Sequence, residues 1–229
     1  MKLQKSQAVA ALLVALTCAI LYFTLRPASS YTHHLDTRYQ AMRLLGTFIS
    51  QEHPGEGVLL LANPFVLKPK ASEKIKDHDT MGHEGLKSGL AENTSLTKVY
   101  PAIRSDYAKD PSSVVIPPSS KTPLSFVVET ASLDELADTH PEATIITSLI
   151  GLPQGVQKLK VWKSEHPARF ALLLPDFRLL GRSKEVIRQF KNGKILAAVI
   201  HDKASGEPLI ATKENIGELL ASQPRSFGF

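Results

Sequence analysis

Cysteine is almost absent from this chain of 229 residues: the one example, Cys18, lies in an N-terminal apolar stretch. The rest of the chain therefore has no disulfide and no thiolate chemistry, a composition compatible with an oxidising compartment. An excess of charge of one sign is lacking as well. The formal +5 owes much to Lys2, Lys5 and Arg26, which flank that apolar stretch; without them 24 basic residues face 22 acidic ones. No basic stripe with interleaved aromatics appears, which argues against nucleic acid as a partner.

Several chemical signatures are missing too. "GLKSG" (85–89) and "GLPQG" (151–155) are glycine pairs, not a phosphate-binding loop or a dinucleotide fingerprint. Ser148, in "ITSLIG", is not in a Gly-x-Ser-x-Gly elbow. In "DHDTMGHE" (77–84), His78 and His83 stand five apart, whereas the helical zinc pattern needs four with a glutamate between. No metal and no cofactor is therefore expected, and catalysis is not the favoured reading.

The clearest positive signal is at the N-terminus. Lys2 and Lys5 precede "AVAALLVALTCAILYFTL" (8–25). As a helix this run is about 27 Å long, close to a hydrocarbon core, and longer than the roughly 7–15 residues of a secretory apolar core. Residues 1–30 read as a signal-anchor or, with "ASS" (28–30) as a cleavage site, a signal peptide. Either way the bulk of the chain is expected outside the cytoplasm, with the membrane reached through residues 8–25.

Residues 31–229 read as one α/β domain. Leu35, Tyr39, Met42, Leu45, Phe48 and Ile49 recur at helical spacing, with Asp36 as cap. Strands are expected at 58–64, 95–103, 124–130, 143–153, 169–177 and 195–203. Helices are expected at 83–93, 132–141 (Ser132 and Glu135 in capping-box spacing), 157–167, 183–193 (cap Ser183, terminator Gly193) and 212–222. The strands are continuous apolar runs and not alternating ones, so both faces should be covered. That predicts a doubly wound, mainly parallel sheet with helices on both faces. Residues 104–123, with four prolines and five serines, read as a loop. Trp162 reads as core, and the tail "PRSFGF" (224–229) as a frayed end.

"FKNGKILAAVIHDK" (190–203) and "VLLLANPF" (58–65) resemble the late strand and the first strand of a lobe of the type 1 periplasmic-binding proteins. "TPLSFVV" (122–128) and "SLIGLP" (148–153) are similar to segments of short membrane-anchored bacterial proteins. The resemblance implies a flavodoxin-like lobe that binds a small ligand. There is room for one lobe, so a solute-binding role would call for a homodimer or a partner domain.

In an open α/β sheet, ligands sit outside the carboxyl ends of the strands. That rule selects Asn63 with Pro64, Glu129 and Thr130, Ser148 with Gly151, Asp176 and Arg178, and His201 and Asp202. The same residue types are also ordinary turn formers. The leading expectation is an extracytoplasmic, membrane-anchored domain binding a small ligand or a protein partner at this edge. A structural or interaction domain of the cell envelope, or a doubly wound hydrolase, stands as the alternative.

Overall fold

A computed structural model describes residues 30–229. The expected membrane segment at 8–25 lies outside the described residues. Among those residues no helix is long and apolar enough to cross a membrane. The chain divides into two units, Met1–His34 and Leu35–Phe229, and the second contains the whole sheet.

Four strands are built from the runs of Val, Ile and Leu: β1 Val58–Leu61, β3 Ile145–Ser148, β4 Arg169–Leu173 and β5 Ile195–His201. β2, Leu96–Val99, and β6, Pro208–Ala211, form the edges. The order is β2-β1-β3-β4-β5-β6. The first five strands are parallel, and β6 runs antiparallel to β5. Val58 of β1 pairs with Leu96 on one side and Ile145 on the other, and Leu61 with Val99 and Ser148, so these strands end level. Strand order reverses between β1 and β3, the topological switch point of a doubly wound sheet.

Burial on both faces explains the unbroken apolar runs. Val58, Leu60, Ile145, Ala171, Leu173, Ala197 and Val199 face one layer, made by helices α1 (Ser30–Glu52) and α2 (Glu73–Gly89) through Met42, Leu45, Ile49 and Leu86. Leu59, Leu61, Ile146, Phe170 and Leu172 face the other. That layer contains α4 (Ser132–Thr139), α5 (Ser183–Lys191) and α6 (Ile216–Ser222), with Leu133, Val186, Phe190 and Leu220 inward. Trp162 joins this second core, its ring 4.9 Å from that of Phe170.

α1 and α2 cross at very short range because the contact is glycine. A Cβ on Gly46 would meet Leu86 O at 2.5 Å, and one on Gly85 or Gly89 would overlap the backbone of Tyr39 or Arg43. The "GLKSG" pair is thus a helix-packing element.

Several expectations need correction. α1 starts before Asp36, which lies inside the helix, and α2 begins ten residues ahead of the expected 83–93 helix, capped by Ser72. Residues 124–130 are not a sheet strand. Pro123–Phe126 is a 3-10 turn, followed by a lone bridge between Val128 and Ile103. The sixth strand is β6, where none was expected. Residues 157–167 hold two 3-10 turns, Val156–Lys158 and Lys160–Trp162, in place of a helix. Neither Ser132 nor Ser183 caps a helix: the cap positions are Ala131 and Arg182, and Ser132 Oγ donates to Glu129 O at 2.7 Å. Gly193 does follow the end of α5 with φ 76°. The Pro/Ser-rich loop contains a short helix α3, Ser105–Lys109, and a 3-10 turn at Pro111–Ser113. The tail is docked, with Phe227 fully buried and stacked on Phe177 at 5.9 Å.

Candidate functional site

At the switch point the carboxyl ends of β1, β3 and β4 enclose a cavity of about 210 Å³. Asn63 comes from the end of β1, Leu149 and Ile150 from β3, and Leu173 and Leu174 from β4. α1 contributes Arg38, α2 contributes His78 and Asp79, and the Pro/Ser-rich loop closes one wall with Lys121, Thr122 and Pro123. The volume falls below the roughly 300–1,000 Å³ of drug-sized pockets, so the space suits a small occupant.

Asp79 organises the β1 side. It is 3% exposed, accepts from Asn63 N at 2.9 Å and pairs with Lys98 Nζ of β2 at 2.5 Å. Burial opposes the Lys98 ammonium, but the hydrogen bond and charge of Asp79 outweigh it and raise the Lys98 pKa. Asn63 Oδ1 caps the following turn by accepting from Phe65 N at 3.0 Å.

Arg38 is held between the two helices and the sheet. Its Nε donates to His78 O at 2.8 Å and its Nη2 to Leu149 O at 3.1 Å. Gly82 makes room for it: a Cβ there would be 3.2 Å from Arg38 Nε and 2.7 Å from a Leu149 methyl. Burial pulls the guanidinium pKa below its usual value, and the charge of Asp79 works the other way.

Two backbone features shape the far wall. Leu174 is the only non-glycine with positive φ among the described residues, at 43°. It precedes Pro175, which further narrows its conformational choice, and such a residue costs on the order of 1–3 kcal/mol. Its N–H still reaches Val199 O at 2.8 Å, holding it at the end of β4. Gly151, with φ 85°, lets Thr122 lie against it, where a Cβ would meet Thr122 Cβ at 2.5 Å.

The strand-end candidates fall into distinct places. Asn63 lines the cavity. Ser148 is buried beneath it, its Oγ donating to Gly151 O at 2.7 Å and accepting from Ile150 N, so the hydroxyl is committed to a turn and is no exposed nucleophile. Asp176 and Arg178 form a pair beside the wall, at 2.8 Å (Nε–Oδ1) and 2.5 Å (Nη2–Oδ2). Asp176 also accepts from Lys121 N, and Arg178 Nη2 donates to Ser119 O at 2.8 Å, so the pair holds the closing loop in place. Lys121 Nζ in turn donates to Arg225 O of the docked tail. Glu129 and Thr130 follow no strand and line no part of this cavity; Thr130 Oγ1 donates to Gln154 O at 2.7 Å. His201 and Asp202 open the β5–β6 hairpin, where Asp202 Oδ2 accepts from Ala204 N and Ser205 N. Arg38, His78, Asp79, Lys121 and Thr122 were not among the strand-end candidates. Among the described residues no cluster of His, Cys, Asp or Glu could hold a metal ion.

A larger concavity, about 980 Å³, lies at the opposite, amino edge, where six basic side chains including Lys163, Arg182 and Lys184 face Glu185. Its buried member, Lys194, is committed to the carbonyls of Val161, His166 and Ala168. Its unpaired cations are exposed, and it is not at the strand ends where this topology places ligands.

No family model matches the chain, and no curated protein matches it. Solved structures do. The chain is similar in structure to sugar-binding transport proteins. One is a carbohydrate transporter from Acidothermus cellulolyticus 11B in complex with myo-inositol (13% identity, TM-score 0.47, 83% of this chain and 62% of that one). Another is the substrate-binding protein of a sugar ABC transport system from Bordetella parapertussis 12822 (12%, 0.48, 83% and 59%). A third is an ABC transporter solute-binding protein from Burkholderia graminis C4D1M in complex with D-arabinose (11%, 0.44, 78% and 61%). The chain thus spans less than two thirds of the length of each. The doubly wound topology stands on the strand register of this chain itself.

Proposed function

We propose that this domain binds a small polar ligand in the switch-point cavity and performs no chemistry on it. The observation that carries the reading is convergence: three strand ends, α1, α2 and the closing loop meet around one concave space whose polar groups are held by internal hydrogen bonds. Such pre-formed concavities with a few fixed polar groups are the usual form of ligand sites. A catalytic reading gains no support from Ser148, whose hydroxyl is buried in its own turn. The mouth would be covered on binding by a second copy or by a partner domain. Anchoring through residues 8–25 would place the site at a membrane outside the cytoplasm.

The test is thermal unfolding of the full chain with sugars, sugar acids, nucleosides and amino acids. A ligand at 100 times its Kd adds about 2.7 kcal/mol, which for a domain of this size raises Tm by about 5–11 °C. A flat response across the panel would count against the reading.

One feature favours protein binding as a second reading. Pro64, Leu67, Pro69, Tyr100, Pro101 and Ile103 line an apolar recess beside the β2 edge, with Leu67 64% exposed. A Leu67→Asp variant that still binds its small ligand but no longer co-purifies with an envelope protein retained by the wild type would establish that role.

A further inference from the structure

We infer that the occupant of the switch-point cavity is an anion, with a carboxylate or phosphate group held by Arg38. This rests on the ligand-binding reading above and specifies the chemistry of the ligand.

A guanidinium carries five N–H donors. Arg38 uses two, on the carbonyls of His78 and Leu149, and Nη1 makes no hydrogen bond among the described residues. Both contacts are to backbone, so the side chain is fixed in place but its charge has no dedicated counter-ion. Three donors remain, enough to hold two oxygens of one anion, the geometry for which arginine is suited.

Nearby carboxylates are already committed. Asp79 is taken up by Lys98 Nζ and Asn63 N. Asp176, the carboxylate nearest Lys121, is held by Arg178. Of the charged side chains lining the cavity, Arg38 and Lys121 are cations and Asp79, already paired with Lys98, is the one carboxylate among the described residues, which leaves a local surplus of positive charge where burial already works against the Arg38 cation. A neutral ligand would hydrogen-bond to Arg38 and leave that surplus uncompensated, whereas an anion would remove it.

The full chain should be titrated with D-glucuronate, D-glucose 6-phosphate and D-glucose by calorimetry, and with inorganic phosphate at constant ionic strength by thermal shift. Glucose and the acids both hydrogen-bond to a charged donor, but only an acid adds the attraction of opposite charges in contact, which at a partly buried site is worth about a factor of ten or more, so one of the two acidic sugars should bind about tenfold or more tighter than glucose. Which acid binds separates carboxylate from phosphate recognition. Arg38→Gln should erase that preference, and Arg38→Lys should retain part of it; circular dichroism checks that each variant is folded. The comparison among ligands of the wild type needs no variant. Glucose binding as tightly as both acids overturns the inference and leaves the ligand-binding reading standing. No response to any of the four probes, together with a flat wider panel, overturns both.

Discussion

Gly85→Ala should destabilise this domain, although alanine is the better helix former. In an exposed helix interior the exchange favours alanine by about 1 kcal/mol. Here the added Cβ would overlap Tyr39 O, and it would stand 3.0 Å from Tyr39 Cα and 3.1 Å from Met42 Cβ. The first two are backbone atoms of α1 and no rotamer change moves them. Relief requires α1 and α2 to separate, and overpacking of this kind costs about 1–3 kcal/mol and occasionally more. Since the separation also loosens Met42, Leu45 and Leu86, all fully buried, the upper part of that range applies. After the gain in helix propensity a net loss of about 2 kcal/mol remains, or about 4–8 °C in Tm for a domain of this size.

Gly217→Ala is the matched control. Gly217 lies in α6, and a Cβ there meets nothing within 4 Å. With no clash, the propensity term acts alone, and stability should rise by about 0.5–1 kcal/mol. Urea denaturation of the two variants beside the wild type reads both signs in one assay. Gly85→Ala at or above wild-type stability would refute the glycine-mediated crossing. Because Arg38 rests on His78 O of α2, Gly85→Ala should also weaken any ligand held by Arg38.

Thr147→Val should stabilise by about 1–2 kcal/mol in urea titration, since the fully buried Thr147 hydroxyl has no hydrogen-bond partner among the described residues and the replacement keeps its shape. Phe227→Ala should cost about 3–5 kcal/mol, because it empties a site stacked on Phe177, and a loss under about 1 kcal/mol would mean the tail is frayed in solution. Burial pushes the Asp176 carboxyl up, but the hydrogen bonds and charge of Arg178 more than reverse this and hold it below the ordinary carboxylate range. A carboxyl depressed on folding stabilises above its unfolded pKa of about 3.9 and loses that contribution as pH falls through the folded value. Asp176→Asn should therefore be less stable than wild type at pH 7, with the gap closing below about pH 4; a gap that does not change with pH would remove the ion pair as its cause.

The sheet was legible because its strands are buried on both faces. "VLLL" and the "FALL" of "RFALL" carry apolar side chains to both cores at once, as an unbroken run does and an alternating one does not. The failures have local physical causes. In "PLSFVV", Phe126, Val127 and Val128 are buried like strand residues, but Pro123 starts a 3-10 turn and the segment makes a lone bridge, Val128 to Ile103, outside the sheet. Burial without pairing looks the same as a strand in sequence. β6 is hidden because its apolar run, "PLIA", is only four residues long and opens on a proline, which reads as turn or loop unless the strand is an edge. Residues 157–167 fail as a helix for a tertiary reason. The Asp134 carboxylate of α4 accepts from Lys160 N and Val161 N, both at 3.0 Å, and fixes a turn there.

The cavity was only partly legible, because its polar groups meet across long sequence separations: Arg38 with Leu149 over 111 positions, Asp79 with Lys98 over 19. Yet both residues break a pattern. Arg38 stands in the stripe of Leu35, Met42 and Leu45, and Asp79 in that of Gly82 and Leu86, so each is a charge on the inward side of a helix. A charge placed there costs several kcal/mol unless something pairs with it. Such an intruder is therefore retained either by an internal partner or by a ligand. The two residues differ in how they are held. Asp79 has its partner in Lys98. Arg38, secured by two carbonyls and with no ion-pair partner in contact among the described residues, sits where three strands end and has donors to spare.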